Sequence, residues 1–165
     1  MDHYKPGVVT RDYTAHRRAG KSTGYILQCL SLVTRWLQEK SIHTLRGRVD
    51  SWNPKIGYLA ETRTHARDIL WGELKRGLSC FPGARFNNTT LTTVIPRPLT
   101  GDEIQIDLKS HRYHDTLRGI KYRRILADEL QKITKTALNE SIFSTLADSE
   151  GALCLLYTSP SPRDS

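Results

Sequence analysis

The chain has 165 residues, 38% hydrophobic and 25% charged, a balance that suits one folded domain and excludes a disordered chain. A formal charge of +8 at pH 7, with the arginine pairs Arg17-Arg18 and Arg123-Arg124, suits a polyanionic partner such as nucleic acid or nucleotide phosphates. Three widely spaced cysteines (Cys29, Cys80, Cys154) argue against a disulfide framework or zinc site, and no apolar run reaches membrane-span length or opens the chain as a signal peptide.

The first element in chain order is "GVVTRDYTA", rich in β-branched and aromatic residues and read as a strand. It leads into "AHRRAGKST", residues 15–23. Gly20-Lys21-Ser22 ends a phosphate-loop pattern G-x-x-x-x-G-K-[ST], with Ala15 where the first glycine belongs. A Gly-Lys-Ser triplet can also arise by chance in a basic chain, so its context decides. From Thr23 onward Ile26, Cys29, Leu30, Val33, Trp36 and Leu37 recur at helical spacing. Strand, glycine turn and helix together aim backbone N–H groups and the positive end of a helix at one point, as a phosphate requires.

"SWNPKIGYLAET" reads as a turn followed by a strand carrying Ile56, Tyr58 and Leu59. "THARDILWGELKRGL" predicts an amphipathic helix with Ala66, Ile69, Leu70, Leu74 and Leu78 on its buried stripe and Thr64 as N-cap. "CFPGARFNN" reads as loop, and "TTLTTVI" and "EIQIDL" as strands joined by the loop "IPRPLTGD". In the second strand Ile104, Ile106 and Leu108 alternate with Glu103, Gln105 and Asp107, which predicts one wet face.

"YRRILADEL" carries the second informative pattern. Ile125, Leu126 and Ala127 form a short buried strand that ends on Asp128-Glu129. Two carboxylates at such an edge are costly to desolvate without a cationic partner, and a phosphate-loop enzyme supplies one as nucleotide-bound Mg²⁺. The competing reading is an exposed Asp-Glu at a helix start, favoured by the macrodipole. "NESIFSTLAD" then predicts a helix with Ile142, Phe143 and Leu146 inward. "HRYHD" (His111, His114, Asp115) contains the His-x-x-His ligand spacing but follows a strand and lacks a third obvious ligand, so it reads as a polar loop. Trp36, Trp52 and Trp71 read as core rather than as a base-stacking platform. "YTSPSPRDS", residues 157–165, has two Ser-Pro steps and no periodicity, and is read as a disordered tail resembling translated sequencing-adaptor sequence.

From Val8 to Leu155 the chain resembles the large terminase subunit of tailed phages, the motor that packs viral DNA. "HRRAGKST" is similar to that family's phosphate loop, which tolerates loss of the first glycine and keeps arginine within the loop. "YLAETRTHARDILWGELK" resembles its next strand and helix, with Glu61 where the family usually has proline. "LRGIKYRRILADEL" resembles the stretch through its magnesium and catalytic carboxylates, and "LADSEGALCL" the run before its coupling motif. The family's adenine-contacting glutamine has no counterpart upstream of Ala15, and "YTSP" at the coupling position is assigned to the tail. The expected organisation is therefore an ATPase domain over residues 1–156, incomplete at both ends, with the nuclease domain absent.

The resemblance implies a three-layer α/β P-loop NTPase domain with a mainly parallel central sheet. The nucleotide-binding segment runs through Ala15, His16, Arg17, Arg18, Ala19, Gly20, Lys21, Ser22 and Thr23. Phosphoryl transfer rests on positioning and charge stabilisation. Lys21 reaches the β- and γ-phosphates of ATP, Ser22 and Asp128 hold Mg²⁺, and Glu129 polarises the attacking water. Thr23 supports the α-phosphate, and by resemblance Arg17 serves as arginine finger in preference to Arg18. The implied partners are double-stranded viral DNA, a capsid portal protein, a small terminase subunit and further copies in a ring, in the host cytoplasm with no membrane. The alternatives are another DNA-directed ATPase of helicase type, disfavoured because "DELQ" lacks helicase signature residues, and a folded but inactive fragment.

Overall fold

The computed structural model describes residues 9–16, 20–39, 53–129, 132–149 and 151–159. Seven strands form one sheet in the order β1 (Val9–His16), β7 (Ala152–Ser159), β6 (Arg124–Ala127), β2 (Lys55–Ala60), β5 (Glu103–Ser110), β4 (Thr92–Pro96), β3 (Arg85–Asn87). The first five are mutually parallel, and β4 and β3 extend the sheet antiparallel. Helix α1 (Lys21–Gln38) covers one face together with a helical run built from α2 (Arg63–Ala66), a π-helical segment (Arg67–Trp71) and α3 (Gly72–Leu78). A π-helical segment (Ala137–Ile142) and α4 (Phe143–Ser149) cover the other. This is the expected three-layer α/β architecture with a mainly parallel sheet.

Strand alternation assigns the two cores. Ile56, Tyr58 and Ala60 of β2 join Ile104, Ile106 and Leu108 of β5 beneath α1 and α3. Leu59, Ile125, Ala127 and Leu153 face Ile142, Phe143 and Leu146. A fully buried Ile or Leu contributes roughly 1.5–3 kcal/mol. A one-residue slip of β2 would send each such side chain to the wrong face, so register is fixed on both sides. That register places the ends of β2 and β6 side by side, with Leu59 opposite Ala127. Gly151, entering β7, lies so close to the Tyr122 carbonyl that a Cβ would sit 2.5 Å from its oxygen.

Several local expectations are corrected. Thr62, not Thr64, caps the second helical run: its hydroxyl accepts from the His65 amide at 3.1 Å. Ile69 is exposed, because the extra residue per turn in Arg67–Trp71 rotates the stripe away from a 3.6-residue period, while Trp71 is buried as its reading as core expects. Part of "CFPGARFNN" pairs with β4 as β3. Asp107, assigned to a wet face, is buried, where its carboxylate accepts from Tyr122, Thr92 and Gln105. Cys29 and Cys154 are buried and Cys80 is exposed, all as free thiols. "HRYHD" lies in a 3-10 segment, His111–Leu117, in which His111 is buried and His114 meets Ser141. Trp36 is core, and Trp52 lies outside the described residues.

Strand β7 runs to Ser159, so Tyr157, Thr158 and Ser159 pair with Thr14, Ala15 and His16 instead of standing as tail. Backbone pairing along β1 needs no apolar alternation, and Tyr and Thr favour extended backbone. Residues 160–165 lie outside the description.

The C-terminal end of α1 is held by Arg97, which is 3% exposed. Its Nε donates to the Trp36 carbonyl at 3.0 Å and Nη2 to that of Glu39 at 2.9 Å. Nη1 reaches both carboxylate oxygens of Asp102, at 2.9 and 2.7 Å. One guanidinium thus satisfies two carbonyls at the helix end that have no intrahelical donor.

Candidate functional site

Helix α1 starts directly after Gly20, whose φ of 72° and ψ of 29° lie in the left-handed region that glycine occupies without strain. Gly20 has no side chain with which to cap this end, and the first intrahelical bond described runs from the Gly24 amide to the Gly20 carbonyl at 2.9 Å. The amides of this first turn precede the intrahelical ladder, and the helix dipole there favours negative charge. Lys21 and Ser22 are half-buried in this first turn, and Thr23 is exposed.

β6 delivers Asp128 to the same place. Lys21 Nζ lies 3.5 Å from Asp128 Oδ1. That oxygen also accepts from the Glu129 amide at 2.9 Å, and Oδ2 accepts from the Tyr58 hydroxyl at 3.3 Å. Burial and the Asp128 charge push the Tyr58 phenol well above its ordinary value, so it stays a donor throughout the physiological range. Tyr25 of α1 packs edge-on against Tyr58 with ring centroids 4.8 Å apart.

Glu129 has φ 50°, which for a residue with a side chain costs roughly 1–2 kcal/mol. Strain of this kind collects where function fixes a backbone direction. Its carboxylate meets Lys132 Nζ at 2.6 Å, and the same ammonium reaches Glu61 Oε2 at 2.8 Å. Arg112 pairs with the other oxygen of Glu61. These bonds raise the Lys132 pKa, through Glu129 first and then Glu61, and lower that of Glu61. His111 is buried beside this group, and its pKa is lowered chiefly by desolvation.

The structure thus brings Lys21, Asp128 and Glu129 to one edge of the sheet. The backbone of Ala15 and His16 ends β1, while Arg17, Arg18 and Ala19 lie outside the described residues. The helix after β1 covers one face of the sheet and the helix after β6 the other. Such divergence opens a crevice at the carboxyl ends of parallel strands, where ligands bind in open α/β sheets. In chemical type, a carboxylate (Asp128) and a hydroxyl (Ser22) are oxygen donors that suit Mg²⁺. Sequence reasoning missed Tyr58, Lys132, His111 and Arg112 as neighbours of these carboxylates. Only Glu61, an acid at the usual proline position, gave a signal.

The class that follows from this arrangement is one of fold: a three-layer α/β domain with a mainly parallel sheet. More particularly, the chain has the fold of the ATPase domain of phage large terminases. It superposes on the large terminase ATPase domain of Thermus phage P74-26 with a TM-score of 0.69 and 17% identity, covering 96% of this chain and 62% of that one. Against the large terminase of a thermophilic bacteriophage in complex with ATP-γ-S, the TM-score is 0.60 at 17% identity, covering 94% and 34%. Against that of bacteriophage HK97 it is 0.61 at 13% identity, covering 91% and 29%. The chain thus spans less than two thirds of each of these structures. No family model and no curated protein matches it by sequence. Among the described residues no helix is long and apolar enough to cross a membrane.

Proposed function

We propose that this chain is the ATP-hydrolysing motor domain of a phage large terminase, which drives double-stranded DNA into a capsid. The observation that carries the reading is the meeting of Lys21 and Asp128, 3.5 Å apart, at the start of α1 after Gly20, in a fold shared with large terminase ATPase domains.

The triphosphate lies along the first turn of α1, its oxygens accepting from backbone amides, with Thr23 beside the α-phosphate. Lys21 supplies a mobile point charge to the β- and γ-phosphates. Ser22 and Asp128 hold Mg²⁺, which when bound neutralises charge developing on the phosphoryl oxygens. Tyr58 and the Glu129 amide fix the plane of the Asp128 carboxylate. Glu129, its carboxylate held 2.6 Å from Lys132 Nζ, orients water and takes its proton. Arg17 acts as finger on the γ-phosphate. The partners are double-stranded DNA, the portal, a small terminase subunit and neighbouring copies in a ring, in the host cytoplasm and transiently at the portal. The test is Mg²⁺-ATP hydrolysis by the complete protein with and without duplex DNA. Turnover stimulated by duplex is expected, and an inert complete protein overturns the reading.

A further inference from the structure

Away from the start of α1, a cavity of about 370 Å³ opens where β5 outruns β4. Pairing with β4 ends at Thr92 opposite Asp107, and Leu108, Lys109 and Ser110 continue past it to line the cavity. Its size lies within the range of roughly 300–1,000 Å³ typical of small-ligand sites. Two cations, Arg63 and Lys109, line it, and neither meets a carboxylate among the described residues. Cations close by in the chain do: Arg112 pairs with Glu61 and Arg118 with Glu140. Thr90 and Thr116 add hydroxyls to the wall.

Tyr113 also lines this cavity, its side chain 71% exposed. The backbone leaves helical geometry there, at φ −107° and ψ 49°, and the Thr116 hydroxyl donates to the Tyr113 carbonyl at 2.7 Å. A pinned loop therefore presents a flat ring to solvent next to two cations without carboxylate partners. Arg67, four residues beyond Arg63, is exposed one turn along the same helical run.

We propose that this cavity is a binding site for a single nucleic-acid strand, taking one unstacked nucleotide. The base lies on Tyr113, its phosphate on Arg63 and Lys109, and the next phosphate on Arg67. A concave site beside a free aromatic face suits a base released from its stack, which an intact duplex does not offer. The cavity lies on the same carboxyl edge of the sheet, at the end of β5 beyond Glu61, whose carbonyl accepts from Ser110. Its lining shares no residue with the start of α1, and the proposal does not depend on the ATPase reading.

The test is fluorescence anisotropy of a labelled short oligothymidylate with the full 165-residue chain, across a salt series. Tyr113→Ala should weaken binding roughly 5- to 150-fold, the loss of one base–aromatic stack, without changing the salt slope. Tyr113→Phe should restore affinity. Arg63→Ala and Lys109→Ala should each lower the salt slope by about 0.7. Bromodeoxyuridine in the strand should photocross-link to Tyr113 in the unaltered chain, a readout independent of any variant. Failure of the unaltered chain to bind the strand would overturn the proposal. So would unchanged affinity in Tyr113→Ala, or a duplex that competes as well as the strand.

Discussion

Helix α1 meets a cation–carboxylate pair at each end, and the two pairs are built for different work. At its C-terminal end Arg97 is nearly inaccessible, grips Asp102 with two bonds below 3 Å, and ties down two helix carbonyls. At its start Lys21 stands 3.5 Å from one oxygen of Asp128, beside the first-turn amides that follow Gly20. A planar fork suits a permanent joint, whereas a point charge on a flexible stem can move from carboxylate to phosphate. The same pairing of charges therefore closes one end and leaves the other open for a ligand.

The largest effect expected concerns the residue beside the open pair. Glu129→Gln keeps the shape of the site and removes the proposed base, so on that proposal turnover of the complete protein should fall roughly 10²–10⁴-fold with little change in ATP affinity. Steady-state hydrolysis and equilibrium binding separate the two, and normal turnover would remove Glu129 from its role.

Breaking each pair in turn should give opposite signatures. Lys21→Ala should weaken nucleotide binding about 10- to 150-fold, the loss of a charged hydrogen bond. It should leave conformational stability nearly unchanged, since Asp128 keeps donors from Tyr58 and the Glu129 amide. Arg97→Ala should instead lower stability by roughly 3 kcal/mol while sparing nucleotide affinity, because it orphans Asp102 and two carbonyls. Arg97→Lys should recover only part, lacking the fork. Denaturant midpoints and titration calorimetry on the same samples read both quantities.

A smaller effect sharpens the open end. Tyr58→Phe removes one long hydrogen bond from Asp128 Oδ2 and should cost about 1 kcal/mol in a denaturation curve. A larger loss would mean the phenol holds more than this carboxylate.

The smallest effect is a pH dependence. His111 is held neutral chiefly by burial; Glu61 and Glu129 favour its proton while Arg112 and Lys132 oppose it. Its folded pKa lies below the unfolded value of 6.5, so the unfolded chain takes up the proton first as pH falls. Stability should therefore decline as pH drops below about 6.5. His111→Asn should flatten that slope in thermal melts.

Much of the fold was legible in local pattern. The period switch between Thr14 and Ile26 marked β1 and α1, and Asp128-Glu129 marked the end of β6. Both motifs lie at chain positions where a strand stops, so a parallel sheet must bring them to one edge. What stayed hidden arises between segments distant in sequence. Nothing around "IPRPLTGD" signals that Arg97 will cap a helix whose last residues lie some sixty positions earlier. Lys132 and Arg112 become neighbours of Glu61 only once β2, β5 and β6 align. The π-helical turn at Arg67–Trp71 also escapes any fixed-period reading, since Ile69 is exposed where a regular helix would bury it.

The central claim is that nucleotide binds at the open end of α1, and amide chemical shifts in an Mg²⁺-ATP titration test it most directly. Even binding in the millimolar range, about −4 kcal/mol, gives measurable shifts. The amides of Gly20, Lys21, Ser22 and Thr23 should move saturably, together with that of Glu129, while those around Trp36 and Arg97 stay still. Lys21→Ala should shift the movement to about 10- to 150-fold higher nucleotide concentration. Shifts at the Arg97 end alone, or shifts at Gly20–Thr23 that persist unchanged in Lys21→Ala, would contradict it.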